Sequence, residues 1–481
     1  MRRFTFAARL GPLDSAPLAL LQPDSTLVDI EFVDTYRRLN FGLGSALSVL
    51  QACGYTTPEK AVDLAIVSAL INAADTRVSR AFNAQNGWTR EIDIVAPVSD
   101  PTLWSNQADL LSRLLQFLSG DYFRFSFRAR PEGFATIVEP PRALPLEGHD
   151  EVALFSGGLD SLIGAIDLLS DGRQPLLVSH SWDSETSKAQ QALLHELGAK
   201  FPTNAHRSLR VRLGFDKHQV DTGELENSQR GRSFLFFSLA AMAAAAIGVG
   251  RVIVPENGFI GLNVPLDPLR LGALSTRTTH PHYMADFNRL LAGLGFGIEL
   301  VNPYRHMTKG EMALQCRNKA FLERLLPISM SCSSPAKARY RGLSPRHCGT
   351  CVPCLIRRAS IDAGFPGVAD PTAYVTQSLT SRTLNTAKAE GEHVRSFQLM
   401  AAQLTENPAA AASLVRIPGH SMMCQPKWET TLTCFGAAPM KCKPFSPTFE
   451  PLLADVTKAP LRRLPLPPRS LSRPLGGDRQ L

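Results

Sequence analysis

Disulfide-spaced cysteines, an apolar run long enough to cross a bilayer, and a charge excess spread over the whole chain are all missing from this 481-residue sequence. Nine cysteines are present, but four of them, Cys332, Cys348, Cys351 and Cys354, crowd into one short stretch. That crowding excludes a secreted disulfide framework and points to a metal site. The most membrane-like run, Phe234 to Gly250, is short, rich in alanine and flanked by Arg232 and Arg251. A bilayer needs about 20 strongly apolar residues, so this run reads as a helix buried against a sheet. The start, Met1-Arg2-Arg3-Phe4-Thr5-Phe6, has a twin-arginine look, yet Pro12 and Asp14 interrupt the apolar region that such a signal requires. With 34 Gly and 35 Pro, the chain is too poor in both for collagen or wholesale disorder. The net charge is +8, but most of it lies from Arg416 onward, where ten Lys/Arg face four Asp/Glu. The body of the chain is nearly neutral, so a nucleic-acid partner is not expected. A cytoplasmic protein without a membrane segment is the expectation.

Residues 1 to about 140 read as a small α+β domain. A helical stretch over Glu59–Ala74 precedes an alternating strand, Arg90 to Val95, then an amphipathic helix over Trp104–Leu118 and a second alternating strand from Tyr122 to Arg128. The segment Pro140 to Pro145 reads as a linker. From residue 148 to 365 short apolar runs alternate with helical segments: Glu151–Phe155, Leu176–Ser179, Ser208–Leu213, Arg251–Pro255 and Gly297–Val301. This is the rhythm of βαβ units and predicts an α/β parallel sheet covered on both faces. A helical extension follows over 366–415. The tail, 416–481, is rich in proline without periodicity and is expected to be disordered.

Two motifs carry chemistry. In the first, a strand runs into Ser156-Gly157-Gly158-Leu159-Asp160-Ser161, with a helix expected to open at Leu162. Glycines let the backbone approach a phosphate, and the helix N-terminus then presents N–H groups to the anion. The Walker lysine is absent, which suggests reaction at the α-phosphate with pyrophosphate leaving. Asp160, expected as an exposed loop carboxylate, could hold Mg²⁺. In the second motif, Cys332 and the C-x₂-C-x₂-C run Cys348, Cys351, Cys354 supply four thiolates for a tetrahedral Zn²⁺ site. His347 in place of Cys332, or a three-cysteine iron–sulfur site, are the alternatives.

The full SGGLDS motif resembles the ATP-pyrophosphatase (PP-loop) superfamily, whose fold is adenine nucleotide alpha-hydrolase-like. With a Cys-rich run far downstream, Cys348 to Arg357, the chain is similar to the QueC family of 7-cyano-7-deazaguanine synthases. It departs in two ways: a longer Cys332–Cys348 spacing and an added N-terminal domain. That domain, with Ala74-Asp75-Thr76-Arg77 and Trp88-Thr89-Arg90-Glu91, resembles the layout of the defence-associated QueC relatives, the QatC proteins of Qat anti-phage systems.

The resemblance implies an AMP-forming ligase that uses ATP to adenylate a 7-deazaguanine-type carboxylate, followed by attack of an amine: ammonia, or an amine of a QatB-like partner protein docked on the N-terminal domain. It implies that Ser156, Gly157, Gly158, Leu159, Asp160 and Ser161 hold pyrophosphate. His180 would lie by the adenosine, Arg230 and Arg232 would open a helix facing phosphate, and Lys309 would neutralise the adenylate. Glu256, Asn257, Phe259 and His280 become candidates for the base pocket. The competing readings are a PP-loop enzyme of RNA modification, such as a tRNA thiolase, and a non-catalytic nucleotide-sensing subunit.

Overall fold

A computed structural model describes residues 2–414 except 13, 19, 86, 142–147, 182, 203–206, 216–221, 223–225, 227, 265, 267–276, 408, 409 and 411–413. The tail and its expected disorder therefore lie outside the described residues, as does most of the 140–145 linker.

The N-terminal unit is built on a four-stranded sheet: β1 (Arg3–Arg9), β2 (Ser25–Glu31), β3 (Glu91–Val98) and β4 (Tyr122–Ala129), in the order β2-β1-β3-β4. All three pairings are parallel. Sequence alternation exposes β3 and β4 but not the first two strands. β1 is buried along most of its length and so lacks the polar alternate positions that mark a half-exposed strand. Helices α1 (Leu43–Ala52), α2 (Glu59–Arg77), α3 (Arg80–Asn83), α4 (Pro101–Ser105) and α5 (Ala108–Ser119) complete it. Asp100 caps α4, its side chain accepting from the Leu103 N–H. The amphipathic stretch beginning at Trp104 is thus two helices, broken at Asn106 and Gln107.

The central sheet contains β5 (Glu151–Leu154), β6 (Pro175–His180), β7 (Arg207–Val211), β8 (Arg251–Ile253) and β9 (Glu299–Val301), all parallel, in the order β7-β6-β5-β8-β9. The five strands fall where the apolar runs place them. Its helices are α6 (Leu159–Ser170), α7 (Ser184–Lys200), α8 (Arg232–Ile247), α9 (Gly258–Leu262), α10 (Pro281–Gly293), α11 (Lys309–Gln315), α12 (Lys319–Leu325) and α13 (Val352–Gly364). Beyond it lies α14 (Ala389–Glu406), separated from α13 by an extended run with no helix.

Strand alternation divides the core. On β5, Val152 and Leu154 join one apolar cluster, and Ala153 joins the other together with Phe155 just beyond the strand. The second cluster lies under α6, α7, α11, α12 and α13. The first runs without interruption through α8 into α2 and the N-terminal sheet. Helices α2 and α8 are buried nearly all round because each is sandwiched: α8 lies on the central sheet and α2 lies on α8. No described helix is long and apolar enough to cross a membrane.

The chain leaves β5 for β6 and β7 on one side, then crosses back to β8 and β9 on the other. The loops after β5 and β8 therefore diverge at the centre of the sheet, at the carboxyl ends of the strands. That switch point is where open α/β sheets bind ligands.

Candidate active site and metal centre

The SGGLDS loop lies at this switch point. Gly157 adopts φ +82°, and a Cβ there would sit 3.1 Å from Gln190 Cγ, so only glycine fits without displacing that side chain. Gly158 is extended and caps α6, which opens at Leu159, one turn earlier than the sequence suggests. Its first-turn N–H groups lack helical acceptors, and such groups are suited to an anion; that of Leu159 donates to Ser331 Oγ. Ser161 Oγ donates to the Gly158 carbonyl at 3.0 Å and lies 3.1 Å from Ser156 Oγ.

Asp160 is the main surprise. It is 6% exposed rather than an open loop carboxylate, because the first turn of α6 points it into the sheet's end. Lys309, buried at the start of α11, lies 3.3 Å from its Oδ2, and Asn257 Nδ2 donates to the same oxygen at 2.7 Å. Burial opposes the Asp160 charge, but Lys309 and the Asn257 bonds hold its carboxyl below the usual range. Glu256, beside it, is pushed well above that range by burial and by the Asp160 carboxylate. Asp160 Oδ1 is buried with no partner among the described residues. An orphaned carboxylate oxygen beside a second carboxyl is a donor set that suits Mg²⁺.

On the other side of the loop, Gln190 Nε2 bridges the carbonyls of Ser156 and His180. His180 is 3% exposed, and neither ring nitrogen has a partner in hydrogen-bond geometry among the described residues. Burial and then Arg232 push its pKa down to about 4, against an upward pull from the Leu213 backbone, so the ring is neutral. Arg232, partly buried at the first position of α8, makes no ion pair within 4 Å among the described residues. Burial lowers its pKa.

Three candidates lie elsewhere. Arg230 turns toward the N-terminal domain, where it lies over the Trp88 ring at 4.1 Å and donates to the Ser119 carbonyl. Phe259 packs on the apolar cluster of Leu355, Ile356 and Phe397, between α13 and α14. His280 caps α10 and lies 5.2 Å from the Phe117 ring of α5. Each faces an apolar or aromatic neighbour that is distant in sequence.

The four cysteines converge, with all Sγ atoms within 4.8 Å of one another. Sulfurs about 2.3 Å from a common zinc ion lie about 3.8 Å apart in a tetrahedron. Cys332–Cys351 at 4.0 Å and Cys348–Cys354 at 3.9 Å match that spacing. Backbone N–H groups of Ser334 and Cys348 donate to Cys332 Sγ, and that of Cys351 to Cys348 Sγ. Such bonds stabilise thiolates. His347 turns away, its Nε2 accepting from the Ser331 N–H, and it is Cys332 that joins the other three thiols. Gly349, between the first two thiols of the C-x₂-C-x₂-C run, has φ +86° and would press a Cβ to 2.6 Å from the Thr376 carbonyl.

Sequence reasoning missed the supports of the phosphate loop. Met330 N–H donates to the Gly157 carbonyl at 2.9 Å, and Leu159 N–H to Ser331 Oγ at 3.3 Å. Arg357, fully buried on α13, donates to the Leu326 carbonyl, Ser329 Oγ and Thr372 Oγ1. The cysteine cluster is thus braced against the loop through residues 326–331. The only advance signal was the arginine that closes the cysteine run.

No protein-family model matches the chain. About half of it is similar to 7-cyano-7-deazaguanine synthases. It is 27% identical to the synthase of Rhizorhabdus wittichii over 248 residues, 47% of this chain and 96% of that protein. Against the synthases of Methanococcus maripaludis and Methanococcus vannielii the identities are 23% and 22%, again over 47% of this chain and 99% of each relative. The parallel sheet and the four-cysteine cluster agree with a QueC-like PP-loop domain.

Proposed function

We propose that the protein is an AMP-forming ligase that activates a 7-deazaguanine-type carboxylate with ATP and passes the acyl group to an amine. The observation that carries this reading is the SGGLDS loop at the switch point, with Asp160 held between Lys309, Asn257 and Glu256. A carboxylate oxygen of the base attacks the α-phosphorus and pyrophosphate leaves, giving an acyl-adenylate. The amine then attacks the acyl carbon, AMP leaves, and the amine's extra proton goes to solvent. In this reading the loop and the start of α6 hold the departing pyrophosphate, while Arg232 and Lys309 offset negative charge as it develops. Asp160 Oδ1 and Glu256 would hold Mg²⁺, which supplies further charge neutralisation at the phosphates. His180, buried and neutral, suits the hydrogen-bonding edge of an adenine.

The acceptor in our reading is an amine of a partner protein encoded in an anti-phage defence system, with ammonia as the simpler alternative. The partner docks on the exposed surface of the N-terminal domain. ATP–pyrophosphate exchange that requires 7-carboxy-7-deazaguanine tests the first step. Asp160→Asn keeps the side chain's shape and should slow exchange by roughly 100-fold or more, in line with removal of one charge-positioning group. ADP and phosphate as the sole products would refute the reading. Mass spectrometry of the co-expressed partner, searching for an added deazaguanine, tests the second step.

A further inference from the structure

The segment that leads into α8 is bound by the N-terminal domain rather than by the sheet from which it emerges. In α2, Asp75 is fully buried, and its Oδ1 pairs with Arg90 Nη2 at 2.8 Å. Arg90 also pairs with Asp121, as does Arg80, so two carboxylates and two guanidiniums form one buried, charge-balanced group. The second oxygen of Asp75 reaches out of this group and accepts the Gly231 N–H at 2.7 Å. Around that bond, the Arg80 N–H donates to Glu226, Thr222 Oγ1 donates to the Arg77 carbonyl, and Arg230 lies over Trp88.

Gly231 is the N-cap of α8, and Arg232 is its first helical residue. In a capping box the N-cap N–H is taken by a glutamate three residues on. Here that position is Phe234, which has no acceptor. Asp75 supplies the missing carboxylate from another domain. Fixing Gly231 fixes the backbone of the next residue, Arg232, whose charge is felt at His180.

We propose that Asp75 is a positioning residue for the nucleotide site: by holding the N-cap of α8, it sets where the Arg232 guanidinium stands. This rests on the nucleotide reading above and extends it, because it makes the N-terminal domain part of the ATP site without touching the nucleotide. The motif around Asp75 and Arg90 then acts as a brace that ties the added domain to the reaction centre.

A double-mutant cycle on the full chain tests it, with MgATP titrated calorimetrically against wild type, Asp75→Asn, Arg232→Ala and the double variant. Asp75→Asn should weaken MgATP binding roughly fivefold, the size expected from a lost helix-end acceptor. In the Arg232→Ala background it should have no further effect, because the group it positions is gone. A purely structural role would lower the melting temperature in both backgrounds and weaken binding by equal factors, which overturns the proposal. So does unchanged affinity in Asp75→Asn. Absence of MgATP binding by the wild type refutes the nucleotide reading itself, a separate outcome. If Asp75→Asn does not fold, Gly231→Ala strains the same contact from the other side, since its methyl would sit 3.2 Å from Asp75 Oδ2. The buried pair with Arg90 stays in place in that variant. It should show the same loss and the same dependence on Arg232, and unchanged affinity overturns the proposal again.

Discussion

Arg357→Met probes whether the cysteine platform holds the phosphate loop in place. Arg357 is 0% exposed and forms no ion pair among the described residues; it makes three short bonds, to the Leu326 carbonyl at 2.6 Å, Ser329 Oγ at 2.9 Å and Thr372 Oγ1 at 3.0 Å, and a longer, weaker one to Ser331 Oγ at 3.4 Å. Hydrogen bonds from a charged donor contribute about 2 kcal/mol each, so roughly 6 kcal/mol is lost with the guanidinium. Methionine fills similar volume and removes a buried charge, which returns about 3 kcal/mol of desolvation. The net loss should be about 3 kcal/mol. It falls on residues 326–331, whose Met330 N–H and Ser331 Oγ grip Gly157 and Leu159. Zinc content should stay at that of the wild type, because the four sulfurs are untouched. MgATP affinity should fall although Arg357 lies outside the phosphate loop. Urea unfolding followed by tryptophan fluorescence, zinc assay and MgATP calorimetry on the same preparations give the three readings. Lost stability with retained zinc and wild-type ATP affinity would show that the loop does not depend on this brace.

Cys351→Ser should abolish binding of one zinc ion per chain and unfold the 332–354 region, since structural zinc contributes on the order of 10 kcal/mol of coupled folding free energy. Full thermal stability of a metal-free preparation contradicts this. Acid should destabilise the fold through His180 and His280, both pushed from 6.5 to about 4 by burial first. The unfolded chain takes up protons that the folded chain refuses, so stability is full above about pH 6.5 and falls as the pH drops toward 4, by up to about 3 kcal/mol for each ring. Urea midpoints at pH 7.5, 6 and 5 measure this, and His180→Gln should flatten the slope. A chain shortened to begin near residue 147 should aggregate or fail to fold cooperatively, because it strips α2 from the apolar face of α8. A soluble fragment with a sharp melting transition would refute the shared-core argument.

The sequence by itself determined the central architecture. Short β-rich runs alternating with helices match a parallel sheet, and Ser-Gly-Gly after the first of them makes a tight turn into a helix start. Cysteine spacing likewise put three thiols within reach of one another, because C-x₂-C geometry is local. Tertiary structure decided what depends on long-range partners. Asp160 is buried because segments following β8 and β9 bring Asn257 and Lys309 to it from distant parts of the chain. Arg230, two residues before Arg232 and outside α8, lies over Trp88 of the N-terminal domain, a contact that no local pattern announces. The strands β1 and β2, the fusion of two domains into one core through α2 and α8, and the reach of Asp75 to Gly231 have no local signature. Each is a contact between segments whose burial appears only once the chain has folded around it.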